Sequence, residues 1–159
     1  MNEIEIREIV KNTVSAYRSK KTEMTLALAD QLADAVLAEA KRIGVKAVVC
    51  VSDSGGHPKL VKSMDDAYIA SYDVAVNKAF TVVALKMSTI ALKPLAQPGE
   101  SLYGIQFTNG GRIVIFGGGD PLTDKSGRII GGLGVSGGSE AQDTALSDFG
   151  KRYFESNLL

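Results

Sequence analysis

The only histidine of the chain, His57, lies in the glycine-rich stretch Val51-Ser-Asp-Ser-Gly-Gly-His-Pro58. A neutral imidazole held on a tight turn is a good axial ligand for haem iron or for corrinoid cobalt. The simpler interpretation is an exposed loop residue without a ligand. Because each chain supplies one histidine, a site with two histidine ligands would require two chains. Otherwise the sixth ligand would be water, Met, Lys or Tyr.

Two further side chains, Asp65 and Lys78, are candidates for general acid–base chemistry. Asp65 and its neighbour Asp66 lie where a helix is predicted to begin, so they are either helix caps or a catalytic or ligand-binding pair. Lys78 lies in an otherwise apolar helical stretch, where desolvation favours a general base or an anion anchor. Alternatively, its side chain reaches solvent or forms a salt bridge to Asp73 or to a glutamate elsewhere.

Gly117, Gly118 and Gly119 form a candidate anion-binding turn. It fits neither a Walker A nor a dinucleotide-binding motif, because no Lys-Ser or Lys-Thr pair directly follows the glycines and the next element is a strand. The stretch from Gly134 to Gly138 leads into a helix N-terminus that could attract an anion, although tight-turn glycine is the simpler explanation. A serine hydrolase is disfavoured, because the serines near His57 share one turn with it and so lack the spacing that a catalytic triad needs.

Composition argues against several other classes of protein. The chain has 159 residues, of which 45% are hydrophobic and 23% charged, as in a single globular domain. Its 18 basic and 18 acidic residues balance, which argues against a nucleic-acid partner and against an anionic membrane surface. Cys50 is the only cysteine, so the chain forms no internal disulfide or multi-cysteine metal site. The lack of a long apolar run and of a secretory signal predicts a cytoplasmic protein.

Hydrophobic periodicity predicts five helices. They are an amphipathic helix within residues 1–21, Thr25 to Ile43, Asp65 to Met87, Ser88 to about Pro94, and a last helix after Ser139. Thr25 and Ser88 are predicted N-caps, and Ser139 with Gln142 is a predicted capping box. The third helix is apolar on nearly all sides, which predicts either a central position or a subunit interface.

Runs of β-branched residues and turn residues predict the strands. They are Val45 to Val51, Lys59 to Lys62, Ile105 to Thr108, Arg112 to Phe116, Pro121 to Asp124 and Arg128 to Val135. Asn109-Gly-Gly111 predicts one hairpin and Asp124 to Gly127 a second, while Gly117 to Pro121 is predicted to break the pairing. Consecutive strands joined by hairpins indicate an antiparallel sheet flanked by helices, which is an α+β fold.

Several ordered blocks between Thr25 and Gly150 resemble a known family. They are Val51 to His57, Ser63-Met-Asp-Asp-Ala67, Lys78-Ala79, Gln97-Pro-Gly99, Leu102-Tyr-Gly104, Phe116-Gly-Gly-Gly-Asp-Pro121, Ile130 to Gly138 and Gln142-Asp143. Together they are similar to the GlcG/HbpS-like haem-binding family, and in particular to the C-terminal domain of PduO-type corrinoid adenosyltransferases.

This resemblance implies a profilin-like sheet flanked by helices, oligomers built partly on the long apolar helix, and haem binding with His57 as iron ligand. Two features depart from the family. Ser63-Met64 stands where many relatives have Arg-Met, so a basic contact to a haem propionate is missing. The helical adenosyltransferase domain is absent, so the chain is not expected to adenosylate cobalamin.

The sequence therefore predicts a non-catalytic tetrapyrrole-binding accessory protein of cobalamin-dependent diol or glycerol metabolism, with haem favoured over a corrinoid. The predicted ligand-binding residues are His57, Met64, Tyr68, Tyr72 and Lys78. His57 would ligate the metal, Lys78 would pair with a propionate, and the other three would contact the macrocycle. The alternatives are a small-molecule enzyme that uses Asp65 and Lys78 with the glycine turn, and a structural protein that oligomerises.

Residues 1–21 lie outside the resemblance, which predicts an N-terminal helix and a domain over residues 22–159. The pattern Glu3-Ile-Glu-Ile-Arg-Glu-Ile-Val10 resembles short amphipathic peptides that target proteins into bacterial metabolic compartments. The helix is either such a targeting peptide, which would place the protein inside a microcompartment, or an extension that packs on the body or on a neighbouring subunit.

Overall fold

Five α-helices and four strands make up the described part of the chain, residues 2–19 and 22–159, in the computed structural model. Side chains are described for residues 2–14 and 22–159. The helices are α1 (Glu3–Ser19), α2 (Leu26–Arg42), α3 (Ile69–Leu85), α4 (Thr89–Leu95) and α5 (Glu140–Asn157). The strands are β1 (Val48–Asp53), β2 (Pro58–Ser63), β3 (Gly119–Thr123) and β4 (Ile129–Ser136). Two 3-10 turns, Ile105–Phe107 and Asn109–Gly111, lie between α4 and β3.

The strands form one antiparallel sheet in the order β2-β1-β4-β3. In the centre, β1 pairs with both β2 and β4, so that Cys50 lies opposite Val61 on one side and Gly134 on the other. A tight turn at residues 124–127 connects β3 to β4, as the second predicted hairpin required. The predicted α+β class and the antiparallel sheet flanked by helices are therefore confirmed.

Helices cover both faces of the sheet, because successive side chains of a strand point to opposite faces. On one face, Val49 and Val51 of β1 pack with α2 and α5 in the larger hydrophobic core. On the other face, Val48 and Cys50 pack against the small residues of α3. Helix α3 thus forms the second layer on its side of the sheet.

The backbones of α3 and β4 lie very close together. A Cβ added to Gly134 would lie 2.0 Å from the carbonyl oxygen of Ala75, and one added to Gly132 would lie 2.3 Å from that of Ala79. These positions accept no side chain, so glycine in β4 permits the helix to approach the sheet. The interpretation of Gly134 as a turn residue is therefore wrong, since it lies inside a strand.

Capping bonds confirm the predicted starts of three helices. The hydroxyl of Thr25 accepts a backbone hydrogen bond at the start of α2, and that of Ser88 does the same at the start of α4. Ser139 and Gln142 form the reciprocal capping box of α5. These ends depend on residues within a few positions of each other, which is why the local sequence predicts them.

The hairpin predicted around Asn109-Gly110 is wrong. Residues 105–116 form 3-10 turns and irregular backbone instead of two paired strands. Here the amide of Val114 donates to the buried hydroxyl of Thr81 on α3 at 3.0 Å, and Ile113 is buried beside it. Contact with α3 therefore replaces pairing within the segment. The predicted break before Pro121 is wrong in part, because β3 already begins at Gly119.

Helix α3 begins four residues later than the sequence predicts. Its N-cap is Tyr68, which makes no side-chain capping bond, and Asp66 lies in a turn with a positive φ of 62°. Asp66 binds the ammonium of Lys46 at 2.8 Å, so the interpretation of the aspartate pair as helix caps is wrong. The first turn of α3 also leaves Ile69 96% exposed, so this end of the apolar helix is not buried within the chain.

Helix α1 presents its apolar side chains to solvent. Ile6, Ile9, Val10 and Val14 are 44–54% exposed. The predicted boundary at Lys21 falls outside the described residues. Among the described residues, no single helix has the length and apolar character to cross a membrane, and only the bent pair of α3 and α4 passes the same test, by length and composition alone.

Candidate functional site

His57 lies on a tight turn between β1 and β2 that Asp53 stabilises. The carboxylate of Asp53 accepts hydrogen bonds from the amides of Gly55 at 2.8 Å and of His57 at 3.1 Å. The amide of Asp53 also donates to the carbonyl of His57 at 2.9 Å. The imidazole itself is 82% exposed. The turn therefore fixes the backbone of His57 while its ring remains accessible to a ligand.

Electrostatics favour one tautomer of this imidazole. Partial burial raises the pKa of Asp53, but hydrogen bonds from the amides of His57 and Gly55, together with the nearby positive charge of Lys59, hold the pKa below its usual value. The resulting carboxylate lies 3.5 Å from Nδ1 of His57. A negative charge at this position favours a proton on Nδ1 and leaves the lone pair on Nε2, which is the state that binds a metal.

The two sides of the His57 turn differ in chemistry. His57 itself lines a small cavity of about 210 Å³, together with Glu23, Asp53 and Lys59. Gly56, by contrast, lies against the ring of Phe80 on α3. A Cβ added to this glycine would lie 2.9 Å from that ring.

The guanidinium of Arg112 stacks on the ring of Phe80, and its Cζ lies 3.7 Å from the ring centroid. Sequence reasoning missed this contact of Arg112. The available signal was that Arg112 is the only basic residue between Lys93 and Lys125.

Met64, Asp65 and Tyr68 lie at the opposite end of β2 from His57. Two cavities of about 530 and 540 Å³ are adjacent there, the first lined in part by Met64 and Asp65 and the second in part by Tyr68. Strand β2 separates them from His57 by about 20 Å. Tyr72, on the next turn of α3, is 55% exposed. Within one chain, the structure does not bring these residues together with His57.

Lys78 is fully buried and forms an ion pair with α5. Its Nζ donates to the carbonyl of Val135 at 2.7 Å and to Oδ2 of Asp143 at 3.0 Å. It also lies 5.0 Å from the ring centroid of Phe116. The predicted salt bridge thus exists, but the proposed partner Asp73 is wrong.

Burial controls the protonation of this lysine. Desolvation lowers the pKa of Lys78, and the neighbouring carboxylates of Asp143 and Glu140 oppose that shift without cancelling it. The side chain of Lys78 is fully buried, whereas Asp65 lies in an exposed loop. The structure does not place these two side chains as an acid–base pair.

The glycine turn at residues 117–119 encloses the ion pair of Lys78. The amide of Gly119 donates to the hydroxyl of Thr89 at 2.9 Å, and the carbonyl of Gly118 accepts from the amide of Val135 at 2.8 Å. The ammonium of Lys93 and the amide of Gly117 keep the pKa of Glu140 below its usual value. The amides of Gly117 and Gly119 and the carbonyl of Gly118 in the candidate anion turn are therefore already paired within the chain.

No group of three or more His, Cys, Asp or Glu side chains arranged to hold a metal ion occurs in residues 2–19 and 22–159, as far as their side chains are described.

Several known proteins are similar to this chain. The model of a family described as haem degrading protein HbpS-like matches residues 24–150. An uncharacterised 15.0 kDa protein from the dhaT-dhaS intergenic region of Citrobacter freundii is 47% identical over 125 residues, which cover 79% of this chain and 87% of that protein. The crystal structure of a PduOC:haem complex has a TM-score of 0.79 at 36% identity and covers 82% of this chain and 94% of the other.

A corrinoid adenosyltransferase is similar over part of its length. PduO of Salmonella typhimurium is 38% identical over 148 residues. These residues are 89% of this chain but 44% of that protein, so the chain spans less than half of the transferase.

Proposed function

The chain belongs to the HbpS-like family, as its sequence blocks predicted, and we propose that it is a non-catalytic accessory protein that binds a tetrapyrrole through His57. Haem is the favoured ligand and a corrinoid the second. A relative at 36% identity is described as a haem complex, which supports this choice. A bound haem would supply a redox-active iron and a visible absorption band.

The observation that carries the proposal is the state of His57. Its ring is 82% exposed and its backbone is fixed by Asp53. A nearby carboxylate leaves Nε2 with the lone pair that an axial ligand needs. The donor set therefore fits haem iron, which requires one or two protein ligands, better than a bare metal ion, which requires several.

The macrocycle is enclosed between copies of the chain. Met64, Tyr68 and Tyr72 retain their proposed role as apolar contacts, but Met64 lies at the far end of β2, about 20 Å from His57 of the same chain, and the two tyrosines lie on or just before the first turn of α3. They reach a tetrapyrrole at His57 only if a second copy presents them. The exposed first turn of α3, with Ile69 at 96% exposure, supports a homo-oligomer built on this end of the helix.

The physiological role proposed is service to cobalamin-dependent diol or glycerol metabolism in the cytoplasm, inside a bacterial microcompartment. Similarity to a corrinoid adenosyltransferase supports the cobalamin link. The division into residues 1–21 and 22–159 belongs to this proposal, with α1 as the targeting element. The exposed side chains of Ile6, Ile9 and Val10 are free to enter an apolar groove. A fluorescent protein fused to residues 1–21 should enter such compartments, and an Ile9→Glu fusion should not.

A haemin titration followed by absorbance tests the ligand assignment. Wild type, His57→Ala and the control Lys125→Ala, which alters the distant turn between β3 and β4, are compared. The expected result is a saturable Soret shift in wild type and in the control that is lost in His57→Ala. A shift that is the same in all three proteins, or no shift in any, would overturn the proposal.

The same samples test the absence of catalysis. With a reductant and oxygen added, the Soret band of an accessory protein should decay no faster than the Soret band of free haem. A faster, His57-dependent loss of the band would show that the chain degrades haem. A parallel titration with hydroxocobalamin distinguishes the corrinoid, because only one of the two ligands should give a His57-dependent spectrum.

A further inference from the structure

We propose that Arg112 binds the carboxylate substituents of the tetrapyrrole that His57 ligates. This inference rests on the function proposed above and identifies the charged contact of the same site. It assigns the anion-binding role to a residue outside the predicted ligand-binding set. A planar guanidinium suits this role, because its fork of donors matches the two oxygens of a carboxylate.

Phe80 links Arg112 to the His57 turn. The ring of Phe80 contacts Gly56, the residue directly before His57, and the same ring supports the guanidinium of Arg112 at 3.7 Å. Through this one ring, Arg112 is connected to the backbone directly before His57. A macrocycle that projects carboxylates from its edge reaches this arginine while its metal stays on the imidazole.

Within the described residues, Arg112 differs from the other arginines because it has no carboxylate partner. The ion pairs of the others are Arg7–Glu3, Arg42–Glu39, Arg128–Asp124 and Arg152–Asp148. The guanidinium of Arg112 stacks on Phe80 instead. Stacking occupies the face of the guanidinium and leaves its N–H edge for an external anion. The side chain is thus held in place before the ligand binds, which reduces the entropy cost of binding.

The other cations near the ligand are less suitable. Lys78, the predicted propionate partner, is enclosed at 0% exposure and already paired with Asp143. Lys59 lines the same cavity as His57, but the carboxylates of Glu23 and Asp53 line that cavity too. Their negative charge would oppose a second carboxylate. Arg112 is therefore the cation that an anionic substituent meets without a competing anion.

A comparison of haemin with haemin dimethyl ester tests the inference, because the ester lacks the negative charges. Dissociation constants are measured from the Soret band for wild type, Arg112→Met, Arg112→Lys and the matched control Lys59→Met. Methionine keeps the apolar packing on Phe80 and removes the charge. We expect Arg112→Met to bind haemin about tenfold more weakly than wild type. Arg112→Lys should be intermediate, since it keeps charge and loses the fork. Lys59→Met should change binding less than about twofold.

The ester separates charge from packing. All four proteins should bind it with similar affinity, since no carboxylate remains for Arg112 to contact. If Arg112→Met weakens haemin and ester equally, Arg112 acts through packing and the inference is wrong. Thermal unfolding of each variant confirms that it is folded.

The failure of this inference is distinguishable from failure of the proposed function. If Arg112→Met binds haemin as tightly as wild type while His57→Ala loses the band, the function stands and the role of Arg112 is refuted. If wild type itself shows no His57-dependent band, both the function and the inference are refuted.

Discussion

Lys78 of α3 and Asp143 of α5 form an ion pair of 3.0 Å in which the lysine is completely buried and the aspartate nearly so. The pair connects the two helices across the end of the sheet, with the carbonyl of Val135 as a further acceptor. Oδ1 of Asp143 also accepts from the amide of Gly138 at 2.9 Å. Both charges are therefore satisfied, and loss of either partner leaves the other one buried.

Removal of one partner should destabilise the protein strongly. Asp143→Ala should lower the free energy of unfolding by about 3–5 kcal/mol, because an unpaired ammonium remains in the interior. The double variant Lys78→Met/Asp143→Leu should recover much of that loss, since it buries no charge. Urea denaturation of both single variants and the double variant measures these values. If the losses in free energy of unfolding of the two single variants add up in the double variant, Lys78 and Asp143 are not energetically coupled.

The buried lysine should also produce a stability gain at alkaline pH. Because desolvation lowers the pKa of Lys78 in the folded state, the unfolded chain holds its proton more tightly. The free energy of unfolding should therefore rise as pH increases from the lowered pKa towards the ordinary value of about 10.4. The measurement is the free energy of unfolding of wild type against pH, from which the same curve for Lys78→Met is subtracted. If this difference does not change with pH below the ordinary pKa of lysine, the ion pair with Asp143 compensates fully for the desolvation of Lys78.

Cys50 should have the opposite effect in the same pH range. Burial raises the pKa of its thiol to about 12, so the folded state keeps a proton that the unfolded chain releases. Wild type should lose about 2 kcal/mol of stability relative to Cys50→Ala between pH 8.5 and pH 10.5, as approximate bounds. Only the slope against pH matters here, because the alanine variant also loses packing. Rapid reaction of the native thiol with a disulfide reagent at neutral pH would contradict this burial.

The glycine turn should tolerate no side chain where it encloses Lys78. A Cβ on Gly118 would lie 2.6 Å from Nζ of Lys78 and 2.8 Å from the carbonyl oxygen of Val135, at a φ of +109°. Gly118→Ala should therefore cost about 3 kcal/mol or more. Gly127 is the matched control, because it has a φ of +81° and no atom within 4 Å of an added Cβ. Gly127→Ala should cost about 1 kcal/mol, the conformational penalty alone. Equal losses in thermal or urea unfolding would refute the steric explanation.

Deletion of residues 1–21 should leave the stability of the remaining domain unchanged within about 0.5 kcal/mol. The described side chains of α1 are exposed, so they bury little apolar surface. The carbonyl of Thr22, which accepts from Arg128 at 2.7 Å, remains in the shortened chain. Urea unfolding of the two chains at several protein concentrations measures the difference. A large loss that depends on protein concentration would indicate that α1 packs on a neighbouring subunit.

The sequence predicted those parts of the fold that depend on near neighbours. The caps at Thr25, Ser88 and Ser139 and the turn at residues 124–127 form between residues a few positions apart. The Asn109-Gly110 signal failed for the opposite reason. Val114 bonds to Thr81, 33 residues away, and a contact of that range leaves no trace in local propensity.

In the candidate site, too, the sequence predicted what depends on near neighbours and missed what depends on distant contacts. The position of His57 on an accessible turn follows from the glycines beside it, and this part was predictable. The partner of Lys78 is 65 residues distant, so its identity requires the folded structure. Likewise, the contact of Arg112 with Phe80 depends on the irregular path of residues 105–116, where the sequence predicted strands.

The close contact between β4 and α3 restricts where this protein can change during evolution or engineering. Since Gly132 and Gly134 touch the helix backbone, neither they nor Ala75 and Ala79 opposite can become larger without separating two layers. Substitutions that retune ligand preference are therefore tolerated best away from this contact, in the loops at residues 53–57 and 104–116 and at the proposed contacts Met64, Tyr68 and Tyr72. A library that varies these loops and leaves α3 and β4 constant should yield more folded proteins than one of equal size directed at the helix.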